Sequence, residues 1–264
     1  MRDHPYDRAP RPLHPRREQR HSELRVFGLH ACLAVFQRRR DAIRKVYLEK
    51  DRLGQLRDVI AHCVANRIGY RLLPGDELEK LTKSQHHEGV CFEVLRAPLL
   101  VLDDVLAAIP PQQSAWFAWL DGVGNPHNLG AMLRSAAHFG CAGLILPRDA
   151  GLGLSGAACR VAEGGAEAVP LIGIDAAEPA ISALHRHHFQ LLATVVRGGD
   201  DVFAAALPKR AVFVMGAEEA GMSHALVARC DLRVGISGSG AVESLNVSAA
   251  FAVFAALWAA QSRP

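Results

Sequence analysis

From residue 115 onward the chain alternates short apolar runs with amphipathic stretches so regularly that few architectures remain open to it. The runs at 115–120, 143–146, 168–172, 190–195, 211–215 and 232–236 carry almost no charge, the pattern of strands covered on both faces rather than wetted on one. Between them, 128–139, 156–163, 177–187 and 224–228 read as helices. The stretch 248–260 is apolar at nearly every position, which predicts a final helix buried all round. Repeated strand and helix units of this kind predict an α/β fold with a parallel sheet and helices on both faces.

A smaller α/β unit precedes it. Residues 26–28, 46–48, 70–73 and 90–94 read as strands, and 29–37, 53–68 and 76–82 as helices. The stretch 97–114 holds Pro98, Pro110, Pro111 and the polar step Gln112-Gln113-Ser114, which marks a boundary. A chain of 264 residues with 50% hydrophobic content suits two domains and not three. The expected layout is an arm at 1–22, a small domain at 23–97, a linker at 98–113 and a larger domain at 114–264.

Composition narrows the function classes. The formal charge is only +3, yet Arg2, Arg8, Arg11, Arg16, Arg17 and Arg20 crowd the arm among Pro5, Pro10, Pro12 and Pro15. With almost no aliphatic residue to bury, the arm is expected to be disordered and basic, suited to salt-sensitive phosphate contacts. The longest apolar run, 249–260, is shorter than the ~20 residues of a membrane span, and a secretory pattern is missing, so a cytoplasmic protein with no membrane partner is expected. Cys32, Cys63, Cys91, Cys141, Cys159 and Cys230 show no C-x-x-C pair or zinc spacing and read as buried thiols; no metal site is expected.

In a parallel α/β sheet, ligands bind beyond the carboxyl ends of the strands. Three such segments mix glycines with hydrogen-bonding side chains: 121–130 with Arg134 in the helix after it, 216–221, and 237–248. Asn128, Ser244 and Asn246 also suit helix caps, and Glu218 a first-turn carboxylate. Arg134 lies among Met132, Leu133, Ala136 and Ala137, where a guanidinium is expected to need a partner or an anion. Gly151, Gly153 and Gly156 fit a dinucleotide-binding spacing, but residues 147–150 separate them from their strand and the tight turn for a pyrophosphate is missing.

Together the three segments resemble the SpoU/TrmH branch of the SPOUT RNA methyltransferases, most closely its YfiF-like members. Motif 1 corresponds to Asn125-Pro126-His127-Asn128-Leu129-Gly130 through Arg134 and Gly140, motif 2 to Val214-Met215-Gly216-Ala217-Glu218-Glu219-Ala220-Gly221, and motif 3 to Ile236 through Ser244-Leu245-Asn246-Val247-Ser248. Val26-Phe27-Gly28-Leu29-His30-Ala31 and His87-Glu88-Gly89-Val90 are similar to the opening and the closing loop of an L30e-like substrate-binding domain.

The resemblance implies a trefoil-knotted C-terminal sheet domain that binds S-adenosylmethionine through Met215, Gly216, Ile236, Leu245 and Asn246. It implies a homodimer, and methylation of a ribose 2′-hydroxyl of rRNA or tRNA and not of DNA. Arg134 is the implied base or alkoxide stabiliser, with Asn128, Glu218, Ser244 and Asn246 orienting the reacting groups; since a guanidinium normally stays protonated, a phosphate contact that positions the ribose is the better physical reading of Arg134. Two positions depart from the family pattern: Ser237-Gly238 stand where it commonly has Pro-Met, and Asn125 stands where an acid precedes Pro126. The first departure supports an alternative, an RNA-binding or ribosome-assembly factor that methylates slowly or not at all. A nicotinamide enzyme would rest on the 151–156 glycines alone.

Overall fold

The computed structural model describes residues 23–217 and 221–262, so the arm expected at 1–22 lies outside the described residues. Two sheets result. The first is built from β1 (Glu23–Phe27), α1 (Leu29–Arg39), β2 (Ile43–Leu48), α2 (Arg57–Ala65), β3 (Gly69–Leu72), α3 (Gly75–Thr82) and β4 (Val90–Leu95). Its order is β1-β4-β2-β3, with β4 antiparallel to β1 and β2, and β3 parallel to β2. Alternation along the strands sends Val26, Val46, Leu48, Phe92 and Val94 into a core with Cys32 and Val35 of α1 and Val59 and Cys63 of α2.

The second sheet follows through β5 (Leu100–Val101), α4 (Leu102–Ala107), β6 (Ala115–Asp121), α5 (Pro126–His138), β7 (Gly143–Pro147), α6 (Gly156–Ala162), α7 (Gly165–Ala168) and β8 (Leu171–Ile174). It continues through α8 (Ala177–Arg186), β9 (Gln190–Thr194), β10 (Asp200–Asp201), β11 (Arg210–Gly216), α9 (His224–Val227), β12 (Leu232–Gly235) and α10 (Val247–Ser262). The order is β10-β12-β9-β11-β6-β7-β8-β5, and every pairing is parallel. Both faces are covered, as the apolar strands required. Trp116, Ala118 and Leu120 of β6 face α5 and α10, while Phe117 and Trp119 face α4 and α8. No helix of the described residues is long and apolar enough to cross a membrane.

Three expectations change. The stretch 98–113 contributes β5 to the sheet edge and α4 to its core, because Leu102 and Leu106 share one helical face and are buried. The apolar run at 168–172 is split: 165–168 form α7, and the strand starts only at Leu171, after Pro170. Finally, α10 is not buried all round. Phe251, Phe254, Ala255, Trp258 and Ala259 pack inward, but Ala249 and Ala260 are exposed and Val253 and Ala256 half-buried, leaving one uncharged stripe open.

The small sheet is docked on α6 and α7. Arg39 of α1 reaches Glu167 through two bonds of 2.6 and 2.9 Å and donates a third, of 2.8 Å, to the Leu95 carbonyl. Arg160 of α6 donates to the His86 carbonyl at 2.9 Å, and Arg96 to the Leu154 carbonyl at 2.9 Å. Cys159 of α6 completes the core of the smaller sheet. Gly156, part of the dinucleotide-like spacing, packs against the Arg25 carbonyl and the Phe27 ring, where a Cβ would collide. That glycine serves domain docking.

Candidate active site

Strand order decides where the motifs meet. β12, β9, β11 and β6 are neighbours and run parallel, so the segments leaving their carboxyl ends emerge side by side. Two of those segments, 194–199 after β9 and 235–245 after β12, line a cavity of about 490 Å3 together with Ala250 and Phe254 of α10. The 194–202 segment is tied to β12 at both ends: Val195 N donates to the Val234 carbonyl and Val202 N to the Gly235 carbonyl, each at 2.9 Å.

Motif 1 meets motif 3 beside this cavity. Asn125 is the N-cap of α5: its side chain accepts from His127 N at 2.9 Å, and Pro126 takes the first helical position. The capping role considered for Asn128 is therefore filled by Asn125. Asn128, 8% exposed, instead accepts a 3.2 Å hydrogen bond from the Asn246 amide. The Asn246 side-chain oxygen caps α10, accepting from Ser248 N at 2.9 Å and Ser248 Oγ at 2.6 Å. One residue thus starts the last helix and ties it to α5.

Of the other expected cofactor contacts, Ile236 and Leu245 line the cavity, together with Ser244. Met215 and Gly216 do not. Met215 is buried behind the wall, with its sulfur 3.6 Å from the hydroxyl of Thr194, which does line it. Gly216 sits where the chain folds back: Ala217 and Gly221 exchange hydrogen bonds of 3.1 and 2.9 Å, and a Cβ on Gly216 would lie 2.5 Å from the Gly221 carbonyl carbon. Its small size serves that turn. Asp121, at the end of β6, fixes the same segment by accepting from Ser223 N at 2.8 Å. Glu218 lies outside the described residues.

Arg134 departs from expectation. It is exposed on α5, on the side of His127 and His138, while Leu129, Met132, Leu133 and Ala136 take the buried side. Its apolar neighbours in sequence face away from it, so the guanidinium needs no buried partner. The sequence reading missed the wall from 194 to 201, with Thr194, Arg197, Gly198, Gly199 and Asp201. The signal was present: Gly198-Gly199 directly follow an apolar strand, where the carboxyl-end rule directs attention.

A parallel sheet covered on both faces, with a mixed polar and apolar cavity at its carboxyl edge and a small docked domain, defines a two-domain α/β protein built to hold a small molecule at that edge. Two family models match the chain: SpoU rRNA Methylase family over residues 116–256 and RNA 2′-O ribose methyltransferase substrate binding over residues 25–98. The chain belongs to the SpoU rRNA methylase family. It is 35% identical, over 94% of its length and 71% of the relative's, to a protein of Escherichia coli O157:H7 called "Uncharacterized tRNA/rRNA methyltransferase YfiF". To the 23S rRNA (guanosine-2′-O-)-methyltransferase RlmB of Nitrosomonas europaea it is 32% identical, over 84% of this chain and 86% of that one. The solved structure of the SpoU methyltransferase AviRb from Streptomyces viridochromogenes, in complex with AdoMet, superposes with a TM-score of 0.77 at 20% identity, covering 94% of each chain. This last likeness is one of fold.

Proposed function

We infer that this chain is an S-adenosylmethionine-dependent methyltransferase acting on a ribose 2′-hydroxyl of structured RNA, rRNA or tRNA. One observation carries the reading: motif 3 lines the cavity with Ile236, Ser244 and Leu245 and, at the very next residue, Asn246, bonds to Asn128 of motif 1. A cofactor pocket and a polar pair for positioning a substrate are thereby adjacent.

The cavity fits the cofactor. Its 490 Å3 falls within the ~300–1,000 Å3 typical of small-molecule sites. Ile236, Val242, Leu245 and Phe254 offer apolar surface to an adenine, and Ser237, Ser239 and Ser244 offer hydroxyls to polar groups. S-adenosylmethionine supplies a methyl group already attached to a good leaving group, so the protein's task is chiefly alignment.

Asn128 and Asn246 then orient the ribose. The Arg134 guanidinium stays protonated, so its exposed position suits a phosphate contact that sets the ribose in line better than a proton acceptor. Glu218 and Ser244 keep their proposed orienting role, and Met215 and Gly216 support the wall from behind. The requirement for a 2′-hydroxyl makes RNA the substrate and not DNA. Residues 23–97 select that RNA, and an rRNA or tRNA substrate is met in the cytoplasm.

The open stripe of Ala249, Val253, Ala256 and Ala260 supports a homodimer through α10, since an uncharged helix face favours removal from water against a second copy. The family's trefoil knot is part of the same proposal. It is supported by the placement of β11 between β6 and β9, with β12 beyond β9.

Calorimetric titration tests the cofactor site. Wild type should bind S-adenosylmethionine, and Leu245→Arg, which places bulk and like charge in the cavity, should abolish binding with the thermal midpoint preserved. An unaltered affinity in that variant would remove the cavity from the account.

A further inference from the structure

Three charged side chains line the cavity among its described residues: Arg197, Asp201 and Glu243. Asp201 is engaged in its own turn, where its carboxylate accepts from Phe203 N at 3.1 Å. Arg197 and Glu243 come from different segments of the lining and meet with a separation of 3.4 Å, although they are 83% and 76% exposed. So exposed a pair contributes little to stability. Its place is informative, because it joins the segment after β9 to motif 3 and both residues line the cavity.

The backbone holding Arg197 is fixed. Gly198 adopts a φ of 76°, and a Cβ on Gly199 would lie 3.0 Å from the Val234 carbonyl carbon, so the turn is pressed onto β12. Glu243 sits on the opposite kind of wall. Motif 3 here has Ser237-Gly238 in place of Pro-Met, and residues 237–246 are exposed. A loop without proline keeps more backbone freedom, and a charge tie to a fixed wall limits that freedom.

We propose that Arg197 and Glu243 form the subsite for the zwitterionic amino-acid end of S-adenosylmethionine, Arg197 taking the carboxylate and Glu243 the ammonium. This rests on the cofactor reading above. A cation and an anion that satisfy each other in the lining of a ligand cavity are replaced one for one by a ligand carrying both charges, so neither is left unpaired when the ligand binds. The net charge agrees as well: one cation and two carboxylates line a cavity for a ligand whose sulfonium leaves it net positive. An RNA phosphate would meet Glu243 and Asp201 beside Arg197, which disfavours it here.

The test is calorimetry on the full chain with S-adenosylmethionine and with its decarboxylated analogue, which keeps the amine and lacks the carboxylate. Arg197→Gln should weaken S-adenosylmethionine about three- to tenfold, in keeping with an exposed charge-assisted contact, and leave the analogue within about twofold on the same grounds. Glu243→Gln should weaken both. Both side chains are exposed, so thermal midpoints should not move. Equal weakening of the two compounds by Arg197→Gln, or no effect on either, overturns the subsite while leaving the cofactor reading standing. A wild-type chain that binds neither compound overturns both.

Discussion

Asn246 does two jobs with the two ends of one amide: its oxygen caps α10 and its nitrogen donates to Asn128. Substitutions separate them. Asp can still cap, so Asn246→Asp should keep its thermal midpoint near wild type while methyl transfer falls at least about tenfold, the scale of one lost hydrogen bond of ~1.4 kcal/mol. Asn246→Ala should lose activity similarly and about 1 kcal/mol of stability as well. Equal stability of the two variants would contradict the capping role. The thiols give a second test at this scale. Burial pushes Cys91, Cys141 and Cys159 up to about 12, against 9.0 for a free thiol. Above pH 9 the unfolded chain releases these protons and the folded chain holds them, so stability falls as pH rises from about 9 toward 12. Denaturation at pH 9.5 should show a loss of roughly 1 kcal/mol per thiol relative to pH 7.5, smaller in Cys141→Ala; an unchanged drop in that variant would contradict the assignment. That Asn128, Ser244 and Asn246 gather at one end of the sheet was legible because polar side chains cluster after strands. Arg134 misled because composition along a helix does not say which face a residue takes, and residues 127, 134 and 138 share the wetted one.

Elements packed on both faces were the easiest to read. The apolar runs at β6 and β11 can only be strands of a covered sheet, and they pair with each other over seven registers. Less legible were the short edges β5 and β10, each of two residues, whose existence depends on a neighbour remote in sequence. The final helix illustrates the limit of composition: Trp116 packs on Phe251 at 5.6 Å and on Trp258 at 6.0 Å, anchoring one face, while on the other Ala249 and Ala260 are exposed and Val253 and Ala256 only half-buried. Close packing makes a sharper prediction at α5 and α6. A Cβ on Gly130 would come 2.6 Å from the Ala158 carbonyl and 2.8 Å from Val161 Cβ, with backbone on one side that cannot yield easily. Ala gains up to about 1 kcal/mol over Gly in helix propensity, but overpacking costs about 1–3 kcal/mol. Gly130→Ala should therefore lower the thermal midpoint; a raised midpoint would show that α6 moves freely.

At the scale of the molecule, the smaller domain is held by polar contacts that no sequence pattern announced, since Arg39 and Glu167 are separated by 128 residues. The Glu167 side chain is only 6% exposed, so Arg39→Ala leaves a buried carboxylate without its cation, at a cost of about 3 kcal/mol. Thermal unfolding should show that loss, with the domain at 23–97 melting separately; a single unchanged transition would contradict a rigid docking. The two-domain division was legible from Pro98 and Pro110, yet the stretch between them joins the larger sheet because Leu102 and Leu106 find a core there. The knot proposed above would leave no trace in periodicity, and general connection rules favour unknotted chains. Dimerisation is tested by Val253→Glu, which should give monomers by analytical ultracentrifugation and markedly reduced methyl transfer; an intact, active dimer would place the interface elsewhere. The most direct measurement of the central claim is transfer of labelled methyl from S-adenosylmethionine to unmodified rRNA and tRNA transcripts, followed by digestion to nucleosides. Wild type should confine label to 2′-O-methyl nucleosides, and Asn128→Ala should give little. Label on a base, or none with any transcript from a chain that binds the cofactor, would contradict that claim.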